Sequence, residues 1–139
     1  MRWLVVLTAC ALAVTPAAAD PRIRLGAKLW SAFLCSQYAD GAWNEKERDR
    51  LLALGLNAGR EFVGAYLRNE IQYKQMIEEV PFHVTTQLKG PSVDFILGKI
   101  YQSASEWAMM QRIADKVDIK YTKQWSEQKF KTSNCSFLQ

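Results

Sequence analysis

The chain is poor in the residues that most enzymatic chemistry needs. Among its 139 residues there is one histidine, His83, which removes the paired imidazoles of an H-E-x-x-H zinc helix. Three cysteines include no C-x-x-C pair, so the spacing of a redox motif or a zinc ribbon is missing too. No EF-hand loop is present, and Gly90-Pro91-Ser92 reads as a turn rather than as a glycine-rich phosphate cradle. No metal and no cofactor is expected on these grounds. No Gly/Ser linker, low-complexity tract or internal repeat divides the chain.

Long apolar runs are equally scarce beyond the first few residues. Met1 and Arg2 give a short positive start, Trp3 to Val14 an apolar run, Thr15-Pro16 a break, and Ala17 to Ala19 small residues before Asp20. That order is the layout of a secretory signal peptide, with cleavage expected after Ala19. Residues 1–19 are therefore set apart, leaving residues 20–139 as a single helical domain. Leu7-Thr8-Ala9-Cys10 also matches a lipobox, which makes acylation at Cys10 the minor alternative. Export accounts for the cysteine count, because Cys35 and Cys135 then remain as a pair expected to form one disulfide in an oxidising compartment. A periplasmic or secreted location follows.

Without Arg2 the basic residues number 17 against 14 acidic, a net charge of +3. That is too small to argue for nucleic acid. A chain of this length can bury one core.

Helical periodicity dominates what is there. Leu51–Leu67 carries Leu52, Gly55, Gly59, Phe62 and Tyr66 on one side at the three- and four-residue spacing of a helix face. Each glycine costs a helix about 1 kcal/mol relative to alanine, so two on the apolar side point to a second helix crossing at close range. Asn57, Arg60, Glu61 and Arg68 interrupt that run, which excludes a membrane span. Asn44 is the expected N-cap, with Glu47 completing a variant capping box.

Before this element the spacing predicts a helix over 25–39, ended at Asp40-Gly41 by a left-handed glycine. After it, a short helix over 71–79 precedes Val80-Pro81. Ser92 is the expected cap of a long helix reaching Ile113, with Asp94 in its first turn. Ala104 and Ala108 on that helix are expected to face Gly55 and Gly59. Residues 82–88 contain a β-branched run that would suit a strand, but a short helix is the preferred reading; residues 116–122 are divided between the two. The fold class is all-α: a small bundle of about four to five helices closed by one disulfide, with a minor two-stranded β element as the alternative.

Chemical constellations are sparse. Ser92, His83 and Asp94 supply triad residue types but no G-x-S-x-G turn, and Ser92 is accounted for as a cap. Glu61 and Asp94 are the carboxylates a cell-wall-directed hydrolase would use. Among the aromatics, Trp43 and Trp125 lie in polar neighbourhoods and are expected to be exposed. In signal, size, helicity and cysteine number the chain resembles small exported helical proteins fastened by one disulfide. Periplasmic immunity or inhibitor proteins and acid-stress chaperones belong to that group. The resemblance is to a group that includes non-enzymatic modules, and the chain is expected to bind another exported or envelope protein. No functional residue is carried over from it: Trp43 and Trp125, for their polar neighbourhoods, and Arg60, beside the glycine face, are the candidate interaction residues. The alternatives are the hydrolase and a chaperone-like envelope protein.

Overall fold

The structure is a computed structural model that describes residues 20–139. The expected signal segment and Cys10 lie outside the described residues. Among the described residues six α-helices follow one another: α1 Pro21–Gly41, α2 Glu45–Leu67, α3 Tyr73–Glu79, α4 Phe82–Thr85, α5 Val93–Ala114 and α6 Thr122–Thr132. Two 3-10 turns, Ile119–Tyr121 and Cys135–Phe137, complete the chain, and no strand occurs among the described residues. The helix count exceeds expectation because residues 122–132 form a helix of their own, while residues 82–85 close a single turn within the short helix expected there. None of these helices is long and apolar enough to cross a membrane.

Local chemistry sets the helix starts. The Asp20 carboxylate accepts from the Arg22 amide at 2.9 Å with Pro21 in the first turn, so α1 begins four residues before its expected start. Asn44 Oδ1 accepts from the Glu47 amide at 3.2 Å, and Ser92 Oγ from the Phe95 amide at 3.2 Å. Both caps stand where the sequence put them.

The helix around which the bundle is built is α1, not the glycine-bearing α2. Ten buried residues, from Ile23 to Ala39, are spread over more than one side of α1, and it packs on α2, α3, α4, α5 and α6. The glycine face of α2 meets α1 as well. A Cβ on Gly55 would lie 2.4 Å from the Phe33 ring, and one on Gly59 would lie 2.9 Å from Leu29 and 2.4 Å from Leu97 of α5. This corrects the expected pairing with Ala104 and Ala108. Those alanines are buried, at 0% and 9% exposure, but they belong to two different clusters of the core. The close approach arises because aromatic and branched side chains from α1 fill the space that the glycines leave.

Ala104 joins the larger cluster with Ile23, Phe33, Phe62, Ile96 and Ile100. Ala108 joins the smaller one with Tyr38, Leu51, Trp125 and the cysteines. Cys35 on α1 is bonded to Cys135, with 5.5 Å between their Cα atoms. The bond closes a loop spanning 100 residues, which contributes about 4–5 kcal/mol on the chain-entropy account. Arg50 fastens the same end. Its guanidinium donates to the carbonyls of Leu138 at 2.6 Å and Cys135 at 3.2 Å while pairing with Glu47 at 2.8 Å. That contact draws the C-terminal tail onto α2.

Candidate functional site: a basic aromatic face

The three candidate interaction residues come to rest in three different settings. Trp125 is buried, at 9% exposure, which corrects the expectation that it faces solvent. Its ring lies edge-on to Tyr38 at 5.8 Å, and its indole N–H donates to Asp115 Oδ2 at 2.8 Å. Polar sequence neighbours do not expose it, because α6 turns Trp125 and the adjacent Ser126 inward onto α1. Arg60 is half-exposed, and its Nε stands 3.4 Å from Asp94 Oδ1, joining α2 to the start of α5. It lies roughly 22 Å along the helix axis from the start of α2 and so belongs to a different part of the surface.

Trp43 is the candidate that stands free, at 77% exposure. The α1–α2 turn lifts it there. The Trp43 amide donates to the Asp40 carbonyl at 2.9 Å and the Asn44 amide to the Ala39 carbonyl at 2.9 Å, so the turn closes around a left-handed residue. That residue is Trp43, with φ 60°, and not Gly41, which is still helical. Gly41 is needed for another reason: a Cβ there would lie 2.3 Å from Ser126 Oγ on α6. Non-glycine residues in the left-handed region cost roughly 1–2 kcal/mol, and bulky side chains are uncommon there. Strain held at an exposed tryptophan is the kind of outlier from which a binding role is argued.

The turn between α5 and α6 supplies the rest of the face. Asp118 Oδ1 accepts from the Lys120 amide at 3.0 Å and starts the 3-10 turn, which leaves Ile119 at 78% and Tyr121 at 54% exposure. Trp43, Ile119, Lys120 and Lys123 line one open groove of about 590 Å³. The Lys123 ammonium sits 4.8 Å from the Trp43 ring centroid, and the Lys120 ammonium 5.0 Å from that of Tyr121. Such contacts hold cations beside aromatic faces at about 0.5–1 kcal/mol each when exposed.

Charge is concentrated at the same end. Residues 116–139 hold five lysines against Asp118 and Glu127, whereas residues 20–115 balance twelve basic with twelve acidic residues. The +3 excess of residues 20–139 therefore lies entirely in the last segment. The acids nearest the groove are engaged: Asp40 pairs with Arg48 at 3.3 Å, and Asp118 caps its turn. Among the described residues Lys116, Lys120 and Lys123 form no salt bridge.

Beneath this face lies a rigid polar network. The Asp115 carboxylate accepts from Trp125 and pairs with Lys129 at 3.0 Å, and both contacts hold its pKa below the usual carboxylate range. The Tyr38 hydroxyl donates to Gln111 Oε1, and burial together with the nearby Asp115 charge pushes the phenol up to about 12. These groups fix α5 and α6 against α1 and so hold the groove in shape.

The three triad residues, Asp94 of the carboxylate pair among them, serve other contacts. Ser92 caps α5, and Asp94 is 75% exposed at its side chain and meets Arg60. His83 is stacked on Trp30, 4.7 Å between centroids and 9° between planes, and its ring also meets Trp107 at 4.5 Å, tilted by 48°. Glu61 is exposed on α2. Among the described residues no group of three or more His, Cys, Asp or Glu side chains is placed to hold a metal ion. No family model matches the chain, and no curated protein or solved structure is similar to it.

Proposed function

We propose that the protein is an exported, non-enzymatic binding module that captures an acidic protein partner on the face of Trp43, Ile119, Tyr121, Lys120 and Lys123. The single observation that carries this reading is the exposure of Trp43 at 77% in a strained left-handed turn, beside lysines that form no salt bridge among the described residues. Tryptophan and tyrosine contribute disproportionately at interface centres, and a rim of unpaired lysines steers an acidic surface toward them. Export, by way of the signal-like residues 1–19, is part of the same proposal. It agrees with the disulfide between Cys35 and Cys135.

A photo-crosslinking residue placed at position 43 or 119, in the native cell, tests the proposal. Adducts to one protein from both positions, and none from the outer face of α5 at position 113, are the expected result. Adducts to many proteins from all three positions would replace it with the chaperone-like alternative. Absence of protein adducts at 43 and 119 would end it.

A further inference from the structure

A second groove lies away from the Trp43 face, between the end of α2 and the pair α3–α4. Its floor is buried and apolar: Met76, Val80 and Leu88 are 1%, 5% and 4% exposed. Its walls are the opposite, with Tyr73 at 67%, Ile77 at 51% and Phe82 at 74% exposure. The cavity measures about 420 Å³, within the range of small-molecule sites. It continues past Tyr66, Leu88 and Lys89 into a neighbouring groove of about 550 Å³, giving an elongated furrow. No carboxylate lines either part, and the one charged group along the furrow is Lys89. Among the described residues Lys89 forms no salt bridge.

The polar atoms along the furrow bear on the choice of occupant. The hydroxyls of Thr85 and Thr86 both donate to the Phe82 carbonyl, at 3.2 and 2.9 Å. The Lys99 ammonium donates to the carbonyls of Gln87 and Lys89, at 3.3 and 3.1 Å. The first groove therefore has no free side-chain donor beyond Lys89 and the two tyrosine hydroxyls. An extended peptide laid in it would find few side-chain partners for its backbone groups, which is costly where they are desolvated. An alkyl chain has none to leave. The apolar floor, the aromatic walls and the single cation together match one chemical class.

We infer that the furrow between α2, α3 and α4 binds a single-chain carboxylate amphiphile, a free fatty acid, with its tail over Met76, Val80 and Leu88 and its carboxylate at Lys89. The site is independent of the partner face at Trp43. Affinity rises by up to about fourfold for each methylene buried, until the furrow is filled. The exposed ion pair at Lys89 adds about two- to fivefold.

Displacement of a dansyl-labelled undecanoate from the oxidised protein tests this. Dodecanoate is expected to displace the probe at one site, dodecan-1-ol about two- to fivefold more weakly, and dodecyltrimethylammonium most weakly. Ile77→Asp should weaken dodecanoate more than tenfold, Lys89→Gln should bring it level with the alcohol, and Trp43→Ala should leave it unchanged. Ile77 is 51% exposed and Lys89 is exposed, so both furrow variants keep their fold, which thermal melts verify. Equal binding of the cationic amphiphile, an unaffected Ile77→Asp variant, or binding seen only with phosphatidylglycerol vesicles would each overturn the inference.

Discussion

Replacing Trp43 by alanine and by glycine removes the same indole but leaves two different backbones. Position 43 has φ 60°, in the left-handed region. Alanine keeps the roughly 1–2 kcal/mol cost of a Cβ there, while glycine removes it. Glycine in turn loses about 0.5–1 kcal/mol more chain entropy on folding. Both variants lose the Lys123 contact at 4.8 Å, so that term cancels in the comparison. Trp43→Gly should therefore be more stable than Trp43→Ala by about 0.5–1 kcal/mol, or about 2–5 °C in melting temperature for a chain of this size. Partner capture should fall in both by about 2 kcal/mol, roughly thirtyfold. Parallel calorimetry and binding measurements separate the two effects. A glycine variant no more stable than the alanine one would refute the strained turn. A glycine variant that still binds would refute the role of the ring.

Other parts of the architecture give sharper stability tests. Gly59→Ala places a methyl 2.4 Å from Leu97, so overpacking should outweigh the gain in helix propensity, with a net loss of about 1 kcal/mol in urea melts. Gly98→Ala on α5, where a Cβ would meet nothing within 4 Å, should instead gain about 0.5–1 kcal/mol; the same sign in both would contradict the described crossing. Cys135→Ser should cost about 2–5 kcal/mol, and a loss below about 1 kcal/mol would mean that Arg50 alone holds the tail. The Tyr38 phenol is pushed up to about 12 from an ordinary value near 10, so its native form binds the proton more tightly than the unfolded chain does. The stability this gives is complete below pH 10 and is lost as the pH rises toward about 12. Denaturant melts of Tyr38→Phe should show a shallower decline over that interval, and an identical decline would exclude Tyr38 as its source.

What the sequence made legible follows from how local each signal is. The caps at Asn44 and Ser92 depend on atoms three residues away, and the structure places both as expected. The glycine face of α2 was equally readable as a close crossing. Its partner was not, because Phe33, Leu29 and the small residues Ala104 and Ala108 are all plausible neighbours until the chain is folded. Gly41 shows the same limit. A glycine near a helix end suggests a left-handed cap, yet here its missing side chain admits Ser126, and the left-handed position passes to Trp43. Trp125 was misjudged because its partners, Tyr38 and Asp115, are 87 and 10 residues away. The basic character of the site was present in the sequence all along, as five lysines against two acids after residue 115. A segment-by-segment count of charge would have found it, where a net total conceals it.

Native mass spectrometry of the protein, purified gently from its own envelope or secreted fraction, tests the central claim most directly. The account predicts a chain beginning at Asp20, two hydrogens lighter than its reduced form, with one acidic protein bound in fixed stoichiometry. That partner should be absent from the Trp43→Ala and Lys120→Glu/Lys123→Glu preparations. A bare monomer, or a partner retained by both variants, would contradict it.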